Sequence, residues 1–180
     1  MYIRLTIVFF ICLVSCQSGS QNRDKPTAHP ASRKDSLIEF NKNLLRRDMQ
    51  KIDDYITSRS IKMTKTGTGL FIKLVVDHDG QEAQPGEQVF FTYKTRTLEG
   101  DLLYSSDELG QREFILDKSD IEAGWNEAAK LMSPADSAIV ILAPHLAFGH
   151  TGDGNRVAPR EILVYELRLD SVYRGTGNRE

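Results

Sequence analysis

The chain has 180 residues, of which 27% are charged and 40% hydrophobic, with a formal net charge of −2. That suits one soluble domain with a tail, or two very small domains. The basic excess of a nucleic-acid-binding face is missing, as are heptad repeats, internal repeats and a Gly-Lys-Ser/Thr phosphate loop.

In chain order, the first signal is an export leader. Arg4 is followed by an almost wholly apolar run from Leu5 to Val14. This is shorter than the ~20 residues a membrane-spanning helix needs, and a positive start before a short apolar core reads as a secretory signal. It ends in Leu13-Val14-Ser15-Cys16, which resembles a bacterial lipoprotein box. On that resemblance residues 1–15 are removed and Cys16 carries the lipid anchor. The mature chain then keeps one cysteine and has no partner for a disulfide. Residues 16–35, polar and rich in Ser, Gly, Gln, Asn, Pro and Thr, read as a lipidated cysteine and flexible tether.

From Ser36 the pattern becomes helical. Ser36 and Glu39 form a capping-box pair, and Leu37/Ile38, Leu44/Leu45, Met49, Ile52 and Tyr55/Ile56 recur at helical spacing. An amphipathic helix is predicted within residues 36–60. Two roles are open to it: packing on its own domain, or acting as a stalk or dimerising helix that makes a homodimer through residues 36–58.

Strand patterns follow. They cover Leu70–Val76, Gln88–Thr97, Leu102–Tyr104, Glu113–Leu116, Ser137–Leu142 and Glu161–Leu169, the last alternating with Leu163, Tyr165, Leu167 and Leu169 inward. One short helix is predicted around Ala123–Met132. The fold class is therefore α+β, an antiparallel sheet against one short helix. The domain spans residues 61–173, with residues 174–180 a disordered tail.

The order of these motifs resembles the FKBP-type peptidyl-prolyl isomerases. Asp120 to Ala128, with Gly124-Trp125 at its centre, resembles the family's VI-x-GW-EE segment. Ala143-Pro144-His145-Leu146-Ala147-Phe148-Gly149 resembles P-x-x-AYG, and Pro159 with Ile162 to Leu167 resembles P-x-x-x-LVF-x-V-x-L. Tyr93 stands at the pocket tyrosine, with Leu98-Glu99-Gly100 and Ser105-Ser106 at matching distances. The fold this implies is an FKBP-like antiparallel sheet wrapped around one short helix, preceded here by the amphipathic helix. A lipoprotein signal, a charged amphipathic segment and one FKBP domain also resemble, in layout, the gliding-motility-associated isomerase lipoproteins.

The resemblance implies an aromatic bowl that holds proline and binds a twisted amide better than a planar one. Its floor would be Trp125. Tyr93, Phe114, Ile121 and Tyr165 would be walls, Phe148 and Val157 the rim, and the Glu122 N–H would face the substrate. Tyr93, Trp125, Phe148 and Tyr165 carry the implied catalysis. Phe114, Ile121, Glu122, Val157, Tyr104 and Arg112 carry substrate binding. Several residues depart from the family. Tyr104 stands where an aspartate is usual, Leu103 where an aromatic is, Arg112 at a second aromatic wall and Glu122 at an isoleucine, while Phe148 replaces a tyrosine. Arg112 would draw acidic or polar residues near the proline, unless Glu122 neutralises it.

No cofactor and no metal are implied. His29, His78, His145 and His150 show no ligand spacing, and Asp77-His78-Asp79-Gly80 reads as a turn. Two functions remain. One is an isomerase acting on proline-containing segments of exported clients in the bacterial cell envelope or periplasm, supporting gliding-motility machinery. The other is a catalytically weak or inactive chaperone or peptide-binding module of the same fold in an envelope complex.

Overall fold

Pro30 opens the first element of the computed structural model, which describes residues 30–174. The leader, Cys16 and the tail from residue 175 lie outside the described residues. Helix α1 spans Pro30–Ser58, so it starts six residues ahead of Ser36. Proline suits a first helical turn, where its missing N–H costs nothing. Ser36 therefore sits inside the helix, where its hydroxyl cannot act as a cap. The helix closes at Ser60, whose φ of 54° brings the Ile61 N–H onto the Ile56 carbonyl at 3.0 Å.

Seven strands follow: β1 (Thr64–Lys65), β2 (Phe71–Val76), β3 (Gln88–Thr97), β4 (Leu102–Ser105), β5 (Arg112–Ile115), β6 (Ser137–Leu142) and β7 (Leu163–Tyr173). All pairings are antiparallel, in the order β1-β2-β6-β7-β3-β4, with β5 also on β3. The sheet with one short helix inside it is the predicted FKBP-like α+β architecture. β7 runs four residues past Leu169 because β3 keeps pairing with it through a bulge at Phe90/Phe91, down to Gln88 opposite Tyr173. Three elements were not predicted: the two-residue β1, the 3₁₀ turn Pro144–Leu146, and α2 (Ser106–Leu109), a single turn whose Ser106 Oγ accepts the Tyr93 N–H at 3.2 Å.

The inner face of the sheet is apolar by alternation. Val89, Phe91 and Tyr93 of β3 and Leu163, Tyr165, Leu167 and Leu169 of β7 share one buried cluster with Trp125, Ala128 and Ala129 of α3 (Ala123–Ala129). α3 is three residues shorter than predicted. Lys130 caps it, and Leu131 and Met132 turn away through bonds to the Ala128 and Ala129 carbonyls.

The other face is covered too, which a half-solvated antiparallel sheet would not require. Among the described residues, 38–174 belong to one compact unit. Within it Ile52 of α1 is fully buried against Phe71, Ile141, Ala143, Ile162 and Val164. The C-terminal half of α1 thus packs on its own domain. Ile52→Ala should cost about 2–5 kcal/mol, as large-to-small core changes do, read as a lower denaturant midpoint at unchanged slope. A loss below about 0.5 kcal/mol would mean that α1 is not part of the cooperative fold.

Candidate active site

The β3–β7 register places Thr95 opposite Tyr165 and Tyr93 opposite Leu167. Residues two apart on a strand share a face, so both tyrosines turn toward α3, where Trp125 meets them edge-on. Ring centroids lie 5.5 Å away for Tyr93 and 5.3 Å for Tyr165, with Phe91 at 5.6 Å and Phe114 at 6.1 Å. Edge-to-face contacts suit the ring quadrupoles. Among these, Phe91 was not a predicted site residue; its place two before Tyr93 on an alternating strand carried the signal.

Above the aromatic cluster lies a cleft of about 270 Å³. Tyr93 and Tyr165 form its base. Tyr104, Arg112, Glu122 and Phe148 line its sides, with Thr95, Leu109 and Asp153. The cleft thus gathers residues from β3, β4, β5, β7, the segment before α3 and the loop after the 3₁₀ turn Pro144–Leu146. Six of those nine, Tyr93, Tyr104, Arg112, Glu122, Phe148 and Tyr165, had been singled out in the sequence. Thr95, Leu109 and Asp153 had not. Thr95 is reachable by period-two counting from Tyr93, whereas Leu109 sits on the unpredicted α2.

The remaining candidates lie behind the cleft. Phe114 is buried and stacks on Phe91 at 5.9 Å and 6°. Val157 is buried in the inner cluster, and Ile121 packs against it. Trp125 is 1% exposed: four rings pack on its edges, and the guanidinium of Arg112 lies over its face, 4.7 Å from the centroid. Arg112 Nη2 also donates to Glu122 Oε2 at 2.5 Å. The charge of Arg112 is thus paired with that of Glu122 in the free protein.

Burial pushes the Tyr165 hydroxyl well above the ordinary phenol value, with the nearby Glu122 carboxylate adding to it. Burial likewise raises Tyr93, which Arg112 partly offsets. Both phenols are therefore neutral at physiological pH, and the base of the cleft carries no charge of its own.

A polar strap closes the rim. The Tyr104 hydroxyl donates to Asp153 Oδ2. Asp153 Oδ1 accepts the N–H groups of Asn155 at 2.9 Å and Val157 at 2.8 Å. Arg156 donates to the Leu103 carbonyl at 2.8 Å and to Glu108 Oε2 at 2.7 Å, with its guanidinium over the Tyr104 ring. Tyr104 thus finds a carboxylate across the cleft. Burial pushes the Asp153 carboxyl up, but the bonds from Tyr104 and from the Asn155 and Val157 amides outweigh it and hold it below the usual range. The hydrogen bond from Arg156 lowers Glu108. Depressed carboxyls stabilise the folded state above their unfolded value of about 4. That contribution is lost as pH falls through the lower folded values. Hydrogen exchange at the Asn155 and Val157 amides, corrected for its intrinsic pH dependence, should therefore lose protection below about pH 4. Protection unchanged in that range would show that the carboxylate does not hold the strap.

Relatives can now be set beside this geometry. A 112-residue stretch is 28% identical to FK506-binding protein 2 of Yarrowia lipolytica, covering 62% of this chain and 78% of that protein. A 104-residue stretch is 32% identical to the peptidyl-prolyl cis-trans isomerase Mip of Coxiella burnetii, covering 58% of this chain and 45% of that one. The chain spans about half the length of that Mip and of the probable FKBP-type isomerase FkpA of Neisseria meningitidis. Among solved structures, FkpA from Escherichia coli superposes with a TM-score of 0.60 at 21% identity, over 80% of this chain and 73% of that one. The N-terminal domain of FKBP42 from Arabidopsis thaliana gives 0.59 at 19%, over 63% and 93%. At those identities the structural likeness speaks for the fold. The family model described as FKBP-type peptidyl-prolyl cis-trans isomerase matches residues 80–170, just over half of the 180 residues, and the chain belongs to that family.

Proposed function

We propose that the protein catalyses cis–trans interchange about X-Pro bonds of exported client proteins at a bacterial cell envelope. The observation that carries this reading is the neutral, ring-lined base of the cleft, Tyr93 and Tyr165 over Trp125, in an FKBP-family domain. The barrier to turning an amide is about 18–20 kcal/mol because twisting ends its resonance. No nucleophile is needed to lower it. The site must only bind the twisted amide more tightly than the planar one, each 1.4 kcal/mol of difference giving about tenfold in rate. Tyr93, Tyr165 and Trp125 would seat the proline ring, Phe148 would cover it and the Glu122 N–H would take a substrate carbonyl.

A protease-coupled isomerisation assay on proline peptides, varied at the residue before proline, tests this. Modest turnover above background is expected, because Phe148 has no hydroxyl to donate. The second reading, a peptide-binding module in an envelope complex, is favoured by Arg112 and Glu122 at wall positions. Saturable peptide binding with no turnover on any peptide would decide for it.

Envelope placement by a lipid on Cys16 is supported by the leader pattern and by relatives such as the outer membrane protein MIP of Legionella longbeachae, 26% identical over 153 residues. Cys16→Ser should leave an unprocessed precursor; membrane fractionation as the same processed species would end the anchor reading. A role with gliding-motility machinery is supported by layout alone. For a homodimer through residues 36–58, the support is the exposed side chains Ile38, Phe40 and Leu45. Phe40→Glu should turn a sedimenting dimer into a monomer with the domain intact.

A further inference from the structure

Trp125 is the only tryptophan of the chain, and what closes it toward the cleft is a charged side chain. The Arg112 guanidinium carbon sits 4.7 Å from the centroid of its ring. Arg112 is steadied there by Glu122, whose Oε2 accepts from Nη2 at 2.5 Å. The two side chains are 29% and 10% exposed, so the pair sits at the boundary between cleft and solvent. Both line the cleft. Near this pair, two buried polar atoms, Trp125 Nε1 and Tyr165 Oη, have no hydrogen-bond partner among the described residues. Burial without a partner is unfavourable for such groups.

A proline ring and a guanidinium cannot use the same indole face at once. Arginine is suited to lie there, because its planar cation stacks on aromatic faces. Its flexible stem and partial exposure leave it a way out toward solvent. We propose that Arg112, steadied by Glu122, is a cover over the aromatic floor of the proline seat: the free site is closed, and a proline segment enters when the guanidinium leaves the indole. This rests on the reading of the cleft as a proline seat and adds what governs access to it. Closure lowers apparent affinity by the fraction of molecules that are open. Arg112 is thus a positioning and access residue, acting through Trp125.

The single tryptophan makes this measurable without turnover. In the full chain, acrylamide quenching of Trp125 fluorescence should be weak. Arg112→Ala should raise the quenching constant at least about twofold, and Glu122→Gln, which keeps shape and removes the charge, should raise it less. With proline peptides, Arg112→Ala should lower KM about three- to tenfold, a larger change than in kcat, since the closed fraction falls. Arg112→Lys, which lacks the planar fork, should fall between. Circular dichroism keeps misfolding separate, and Glu122→Gln serves if Arg112→Ala does not fold. Quenching as in the unsubstituted protein in a folded variant, or a KM that rises, would overturn the cover: Arg112 would then be a wall that contacts substrate. If quenching rises while neither the unsubstituted protein nor any variant binds or turns over proline peptides, the cover stands and the proline-seat reading fails.

Discussion

Trp125→Ala is expected to cost about 3–5 kcal/mol of stability, the range for truncating a buried aromatic. Four ring neighbours lose their partner at once: Phe91, Tyr93, Phe114 and Tyr165. Arg112 also loses the face it lies on. For a domain of this size each kcal/mol moves the thermal midpoint by about 2–4 °C, so a fall of roughly 6–20 °C is expected. Activity would fall with it, but folding and function would be confounded. Trp125→Phe separates them. The smaller ring still meets Tyr93 and Tyr165 edge-on and keeps the cluster apolar, while the broad floor under the cleft is lost. Proline-peptide affinity should drop about tenfold, close to 1.4 kcal/mol, in a protein that melts cooperatively. Unchanged affinity and rate in Trp125→Phe would place the indole in the core alone, and the binding surface would have to be sought elsewhere.

The sheet was legible because its signals are local. Val89, Phe91 and Tyr93 alternate on β3, and Leu163, Tyr165, Leu167 and Leu169 on β7. Period two leaves only one register that buries them all. The alternation is silent on Val164 and Ile162, which face the other way and are buried nonetheless. What buries them is α1, some hundred residues earlier in the chain. The apolar stripe of α1 told that the helix needs a partner; it could not tell whether its own sheet or a second copy supplies one. Ile52 and the ion pair of Asp48 with Arg160 at 2.6 Å give the answer for the C-terminal half. Its start was misplaced because Ser36 marks where apolar spacing begins, while backbone helicity begins at Pro30, before any apolar side chain is needed.

At the site, residue identities were readable and their pairings were not. Arg112 and Glu122 are ten positions apart on different elements, so no helical or strand spacing predicts that they meet. Tyr104 and Asp153 are farther apart still, and their bond forms only because the loop after the 3₁₀ turn returns over β4. A cation at one wall meets an anion at the next, and the Tyr104 phenol meets Asp153 in the facing loop. Substituted singly, each would leave a charge or hydroxyl without a partner at a half-buried rim, which is costly. Taken together they keep the rim polar and paired while the base stays neutral.

Gly124→Ala is the smallest substitution with a large expected effect, and its sign depends on which of two terms wins. Alanine is favoured over glycine in a helix interior by about 1 kcal/mol, so in open space the change would stabilise α3. The space is not open. A Cβ at residue 124 would overlap the Cδ1 methyl of Leu142 and lie 2.6 Å from its Cδ2 and 2.9 Å from the Leu146 carbonyl oxygen. The leucine methyls can turn away only into a packed cluster, since Leu142 is 1% exposed. The carbonyl is backbone, at the end of the 3₁₀ turn that leads to Phe148, and yields only if α3 or that turn moves. Overpacking of this kind costs about 1–3 kcal/mol, more than the helix preference returns. A net loss of up to about 2 kcal/mol is therefore expected. Because Trp125 is the next residue, the shift that relieves the overlap also moves the indole against Tyr93 and Tyr165. Activity should fall more than stability does, and the Trp125 emission should change in the folded variant. A Gly124→Ala protein with higher stability and unaltered emission would show that α3 has slack against the 3₁₀ turn, and that close approach is not what requires glycine there.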